Sequence, residues 1–223
     1  MKILKPKFWD QNYFTIFSIL LMPFSLIYLI IINLKKIISN PKNFPIPIIC
    51  VGNIYIGGTG KTPITLKICK ILKELEQDPV IVRKIYSSHD DEISLIKKHN
   101  KIILSKKRVE AIEKAVNKNF KFVVMDDGFQ DMTINKDLNI ICFHDNQRIG
   151  NGLLLPSGPL RERLTELKNC QIVLINGKQD IEFEQQLKKY NSKLDFFYYN
   201  SIPKNIDNFK NKKLIAFAGI GNP

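Results

Sequence analysis

The chain has 223 residues, 44% of them hydrophobic and 25% charged, which excludes a disordered polymer and provides for one domain or slightly more. A formal charge of +13 favours acidic partners, namely phosphates or anionic headgroups, although Lys, Asn and Ile are abundant throughout. No zinc-ligand spacing and no aromatic-interleaved basic helix is present, so a nucleic-acid reader is excluded. Cys50, Cys69, Cys142 and Cys170 form no C-x-x-C pair, and three of them lie in apolar strand-like runs or next to one, as reduced, buried thiols of a cytoplasmic domain do.

The first element is an uncharged run, Tyr13–Leu34, long enough to match a bilayer's hydrocarbon thickness. Lys2, Lys5 and Lys7 precede it, Lys35 and Lys36 follow it, and Trp9, Tyr13 and Tyr28 suit an interface. Lys on both sides sets no orientation, and Pro23 predicts a kink midway. A full span, a monotopic helix pair in one leaflet and a buried core helix are the alternatives.

Pro41, Pro45 and Pro47 then deliver the chain to a strand at Ile46–Val51. Further strands are predicted at Pro79–Arg83, Lys101–Leu104, Phe120–Met125, Leu138–Phe143, Gln171–Ile175, Leu194–Tyr199 and Lys213–Ala218. Several are apolar almost throughout, the pattern of strands covered on both faces of a parallel sheet. Helical stripes fall between them, one over Ile64, Ile68, Ile71, Leu72 and Leu75, another over Val109, Ile112, Ala115 and Val116. The expected fold class is α/β: a P-loop NTPase-like, mostly parallel sheet with flanking helices, preceded by an apolar N-terminal membrane helix. The expected organisation is a membrane-associating segment over 1–40, a P-loop domain over 41–207 and, from 208, the start of a second α/β lobe that the sequence cuts short.

The run VGNIYIGGTGKTP, Val51–Pro63, follows a strand and opens a helix, the context of a phosphate-binding loop. Gly57, Gly58, Thr59 and Gly60 would turn backbone N–H groups toward the phosphates of ATP, Lys61 would reach the β- and γ-phosphates, and the Thr62 hydroxyl would bind Mg²⁺. Tyr55 stands where the motif asks for its first glycine. Downstream, FKFVVM ends in Asp126-Asp127, an apolar strand carrying two carboxylates to the same sheet edge, one for Mg²⁺ and one to orient a ligand or nucleophile. A second acidic cluster, Asp90-Asp91-Glu92, reads by itself as the charged start of a helix.

Taken together, VGNIYIGGTGKTP, the DDE stretch, MDDGFQ (Met125–Gln130), GNGLLLPSGPLRE (Gly150–Glu162) and the terminal AGIGNP resemble the tetraacyldisaccharide 4′-kinase family, in the same order. The resemblance implies Mg²⁺-dependent transfer of the ATP γ-phosphate to the 4′-hydroxyl of a lipid A precursor, a tetraacylated glucosamine disaccharide 1-phosphate. It implies inner membrane lipids as partners, at the cytoplasmic face. It assigns catalytic roles to Lys61, Asp91 and Asp127, metal binding to Thr62, Asp126 and Glu162, and acceptor contacts to Glu92, Gln130 and Arg161. Three departures stand out. Asp131 replaces the family's His after DDGFQ. Val82-Arg83-Lys84-Ile85-Tyr86 keeps the Arg of a glycine-rich family stretch and loses its glycines. The family's D-H-H stretch would lie beyond Pro223, and His89, His99 and His144 are not in its context.

Two rivals have distinct signatures. A nucleotide- and membrane-binding protein short of part of its active site would bind ATP without transferring phosphate. A P-loop GTPase or ATPase of the signal-recognition type would hydrolyse nucleotide with no lipid acceptor and would need an N-K-x-D motif, which Asn135-Lys136-Asp137 misses by one residue.

Overall fold

The computed structural model describes residues 5–11, 13–85 and 90–200. Among the described residues seven strands form one sheet: β1 (Ile48–Gly52), β2 (Pro79–Lys84), β3 (Ile102–Ser105), β4 (Phe122–Asp126), β5 (Leu138–His144), β6 (Ile172–Asn176) and β7 (Asp195–Tyr199). Their spatial order is β3-β2-β4-β1-β5-β6-β7, and every pairing is parallel. Each predicted strand up to Tyr199 is present, displaced by at most two residues at either end. The predicted strand Lys213–Ala218, the second lobe and the GIGNP ending lie outside the described residues, as do Tyr86 and His89.

The described residues form five α-helices beside the sheet: α1 (Ile16–Ile38), α2 (Lys61–Glu74), α3 (Asp90–His99), α4 (Arg108–Asn117) and α5 (Ile181–Lys188). Alternate strand residues point to opposite faces, and each face is covered. On one face Cys50, Val82, Met125, Ile141 and Val173 pack with Ile112 of α4 and Phe183 of α5. On the other, Val51, Ile81, Val124 and Cys142 pack with Ile64, Cys69 and Leu72 of α2 and Ile96 of α3. Double coverage is why the strands read as unbroken apolar runs rather than as alternations. All four cysteines are free and buried, and burial pushes the thiols of Cys50, Cys69 and Cys142 up to about 12.

The helix α1 is one continuous element; Pro23 lies inside it without dividing it into a pair. A capping box begins it: Thr15 accepts from the Ser18 N–H, and the Ser18 hydroxyl accepts from the Thr15 N–H. Only 6% of its most apolar stretch is buried, so it is not a core helix. Ser18 and Ile32 mark its covered side, whereas Phe17, Leu20, Phe24, Ile27, Ile31 and Leu34 are exposed.

Candidate active site

The order of the strands fixes where a ligand can bind. The chain runs from β1 outward to β2 and β3, returns to insert β4 beside β1, and then crosses to β5 on the far side. Such a reversal leaves a crevice beyond the carboxyl ends of the central strands. In register, Val51 at the end of β1 lies opposite Asp126 at the end of β4. The phosphate loop and the twin aspartates therefore open onto one edge.

Two glycines of the loop adopt left-handed backbone, Gly57 at φ 114° and Gly60 at φ 76°, and Gly60 caps the start of α2. None of the described residues lies within 4 Å of where a Cβ on Gly57 would stand, so that side of the loop is open among them. A side chain on Gly60 would meet the Tyr199 hydroxyl, which donates to the Thr59 carbonyl at 3.4 Å. The Asn53 side chain closes the loop by donating to the Gly57 carbonyl at 3.2 Å. Tyr55, at the position of the missing glycine, serves as an anchor. It is buried, bridges to Leu160 and donates its hydroxyl to Asp10.

Around this loop the charged groups interlock. The Thr62 hydroxyl lies 3.4 Å from Asp126 Oδ2, the Thr65 hydroxyl 3.3 Å from Asp126 Oδ1, and Arg83 Nη1 3.2 Å from Oδ2. Asp126 is almost wholly buried. Lys61 Nζ stands 3.6 Å from Asp127 Oδ1, which also receives Arg161 Nη2 at 2.8 Å. Burial by itself would raise the Asp127 carboxyl, yet Lys61, Arg161 and Arg108 outweigh it and hold it at about 2. Asp127 is thus a fixed negative charge at any physiological pH. Arg161 and Gln130 both donate to the Asn53 carbonyl, at 3.2 and 2.8 Å, tying the stretch after β4 to the phosphate loop.

Of the residues singled out from sequence, the structure brings together Gly57 to Thr62, Asp126, Asp127, Gln130 and Arg161. It does not bring Glu162 to them. That buried carboxylate is 3.5 Å from Lys36 of α1, while Lys36 is 2.7 Å from Glu166. The chain bends at Arg161 and Glu162, so that Arg161 reaches Asp127 while Glu162 turns to Lys36 of the helix. Desolvation raises the Glu162 carboxyl despite Lys36. Asp91 and Glu92 lie in the first turn of α3, and their side chains are outside the described residues.

Three residues join the site that sequence reading passed over or left without a role. Arg83 pairs with Asp126, and Thr65 lies one turn beyond Lys61 and donates to its carbonyl. Arg108 donates to the Asp127 carbonyl at 2.7 Å and pairs with Asp131 at 3.3 Å. Positions 108, 112 and 115 share a helical face, so a charged residue on that apolar stripe was the available signal. Asp131, the departure from the family pattern, is held by Arg108 and Thr133; burial works against its charge, but these partners keep its carboxyl below the ordinary range.

A glycine-turned loop opening a helix, a lysine within it, and a hydroxyl facing a buried carboxylate at the end of the neighbouring parallel strand define a P-loop nucleotide-binding phosphotransferase. A family model for tetraacyldisaccharide-1-P 4′-kinase matches residues 17–223. The tetraacyldisaccharide 4′-kinase of Pelagibacter ubique (strain HTCC1062) is 43% identical over the whole of this chain and 71% of its own length. That of Rickettsia bellii (strain OSU 85-389) is 32% identical over the whole chain and 73% of its own. The chain belongs to the tetraacyldisaccharide 4′-kinase family. A crystal structure of LpxK from Aquifex aeolicus in complex with ATP has the same fold, with a TM-score of 0.63 at 21% identity over 90% of this chain and 86% of that one. The fold is shared more widely: the signal recognition particle 54 kDa protein from Aeropyrum pernix K1 gives 0.50 at 10% identity, over 90% of this chain and 50% of its own.

Proposed function

We propose that this chain transfers the γ-phosphate of ATP to the 4′-hydroxyl of a tetraacylated glucosamine disaccharide 1-phosphate, a lipid A precursor, at the cytoplasmic face of the inner membrane. The observation that carries the reading is the meeting of Lys61 and Thr62 with Asp126 and Asp127 on one sheet edge. The Thr62 hydroxyl and the Asp126 carboxylate are hard oxygen donors on the same side of the loop, a set suited to Mg²⁺. Bound there, Mg²⁺ would neutralise charge on the transferring phosphate.

The chain's own groups account for the rest. The N–H groups of Gly58 to Thr62 and the start of α2 receive phosphate oxygens. Lys61 exchanges its contact with Asp127 for the β- and γ-phosphates, and Arg161, anchored on Asp127 and Asn53, supplies a second cation beside them. Gln130 fixes the loop after Asp127 and lines the acceptor side. Asp91, with Glu92 beside it, is assigned to the acceptor hydroxyl. Carboxylates are weak bases for alcohols, so its work is largely orientation of that hydroxyl. Glu162 is assigned to the seam with α1 rather than to the metal.

The lipid acceptor gives α1 its purpose. At about 1.5 Å per residue its 23 residues reach about 35 Å, enough to cross a bilayer. Yet Ser25 bonds to Ser157, Tyr28 to Arg161, and Lys36 to Glu162 and Glu166, so the domain runs alongside the helix. A perpendicular crossing would carry those buried polar groups into hydrocarbon. The helix therefore lies in one leaflet with Phe17, Leu20, Phe24 and Ile27 in the lipid. An apolar groove of about 780 Å³ between α1 and the 152–165 stretch, lined by Met22, Leu26, Leu29, Leu154 and Leu164, receives acyl chain of the acceptor.

The test is transfer of labelled γ-phosphate from ATP to the lipid disaccharide in mixed micelles. Lys61→Ala is expected to lower the rate on the order of 10²-fold or more. Near-normal transfer by that variant overturns the assignment.

A further inference from the structure

The seam between α1 and the Gly150–Glu162 segment is polar on an otherwise apolar helix. Ser25 donates to the Leu154 carbonyl at 2.9 Å, contacts the Ser157 hydroxyl at 2.8 Å and accepts from the Ser157 N–H at 3.0 Å. Lys36 holds Glu162 and Glu166. Between these two ends the Tyr28 hydroxyl donates to the carbonyl of Arg161 at 3.0 Å. Arg161 is where the seam reaches the chemistry. Its N–H donates to the Ile54 carbonyl at 2.7 Å, and its guanidinium spans Asn53 and Asp127. One residue thus has its backbone clamped between the membrane helix and the base of the phosphate loop, while its side chain touches the groups that meet ATP.

We propose that Tyr28 is a positioning residue for phosphoryl transfer, its hydroxyl fixing the Arg161 backbone so that the seat of the membrane helix sets the geometry of the nucleotide site. The inference rests on the kinase reading above. An arginine guanidinium stands several bonds from its Cα, so a small turn of the backbone is magnified at the tip, and phosphoryl transfer depends steeply on such placement. The clamp has two sides, and Tyr28 supplies the one facing the lipid. Phenylalanine at position 28 would keep the ring against the domain and leave the Arg161 carbonyl without this donor.

The experiment is a double-mutant cycle on the full chain in vesicles of inner-membrane phospholipid, comparing the unsubstituted protein, Tyr28→Phe, Arg161→Ala and the pair, with Ser25→Ala as a seam control. Transfer to the lipid disaccharide and calorimetric affinity for Mg·ATP are both measured. Tyr28→Phe is expected to lower kcat about 3- to 10-fold and to weaken Mg·ATP binding by a similar factor, with KM for the acceptor and co-flotation with vesicles unchanged. In the Arg161→Ala background the same substitution should change either quantity less than about twofold. Ser25→Ala, whose lost contacts end at Leu154 and Ser157 and not at Arg161, should change both quantities less than Tyr28→Phe does; an equal loss would assign the effect to general loosening of the seam and overturn the proposal. The proposal falls if Tyr28→Phe matches the unsubstituted protein in kcat and affinity, or if its effect persists in full without the Arg161 side chain, as a purely structural role requires. Should the unsubstituted protein bind Mg·ATP but phosphorylate no lipid, the kinase reading fails, and the affinity cycle alone still decides for or against Tyr28.

Discussion

Asp127 sits at a backbone φ of 51°, left-handed for a residue with a Cβ, and turns the chain so that its side chain faces Lys61 and Arg161 while its carbonyl faces Arg108. Its folded-state carboxyl, held at about 2, lies below the ordinary value near ~3.9, so the group adds stability that is full above that ordinary value and is lost as pH falls toward about 2. Melting curves should therefore show the unsubstituted chain gaining on Asp127→Asn between pH ~2 and ~5 and holding a constant lead above. A lead that keeps growing between pH 6 and 8 would mean that another group carries the difference. Gly60 makes a second prediction at this scale. Its φ of 76° and the Tyr199 hydroxyl where a Cβ would go leave no room for alanine. Gly60→Ala should lose about 1–2 kcal/mol of stability to urea and most of its Mg·ATP affinity by calorimetry. The twin aspartates and the glycines were readable because their chemistry needs those residue types at the end of an apolar strand. Arg83 and Arg108 carried no such label. Each is buried by a partner distant in sequence, Asp126 or Asp131, which only the fold brings near.

Among the elements, the strands declared themselves through apolar runs that both-face burial requires, and α2 and α4 through their stripes. The Gly150–Glu162 segment is the opposite case. Its residues are distinctive, but its job is to bridge two elements, with the Ile56 N–H on the Pro159 carbonyl on one side and Ser25 and Tyr28 of α1 on the other. No local pattern encodes such a bridge. For the same reason the sequence suggests a metal role for Glu162, whereas the bend after Leu160 carries its carboxylate to Lys36. Pro23, a residue expected to kink α1, lies inside one continuous helix, and the contacts of Ser25 and Tyr28 just beyond it hold that turn to the domain. Lys36→Ala tests this seam. It strips the cation from a carboxylate already raised by burial, and should cost on the order of 1–3 kcal/mol at pH 7. A carboxyl whose folded value is raised binds its proton more tightly in the native state, so stability falls as pH climbs from the unfolded value of ~4.3 through the folded one. The variant should accordingly recover part of its loss between pH 7 and pH 5 in thermal melts, and equal deficits at the two pH values would remove Glu162 from the account.

At the scale of the molecule, the sheet and α1 divide the labour between a soluble substrate and an insoluble one. The crevice above β1 and β4 presents four cations, Lys61, Arg83, Arg108 and Arg161, against Asp126, Asp127 and Asp131, a balance that favours an anion. The exposed side of α1 carries no charge from Ile16 to Leu34, and none of the described residues covers its apolar side chains. If that face is what holds the enzyme at its lipid substrate, charging it should separate two properties that otherwise travel together. Leu20 and Ile27 are seven residues apart, both exposed, and neither touches the seam through a hydrogen bond. Replacing both with Glu puts two carboxylates where hydrocarbon would be, at roughly 2–3 kcal/mol each toward the membrane centre and less at its surface. Vesicle co-flotation should drop on the order of 10²-fold, while Mg·ATP affinity, which depends on the sheet edge some distance from this face, should stay within about twofold. Transfer to the lipid acceptor should fall with flotation and return in part when substrate is supplied in detergent micelles, because the defect is encounter rather than chemistry. If instead the doubly charged chain floats normally, the anchoring surface lies elsewhere. If it floats poorly and also loses Mg·ATP, α1 governs the fold of the nucleotide site and not only its address.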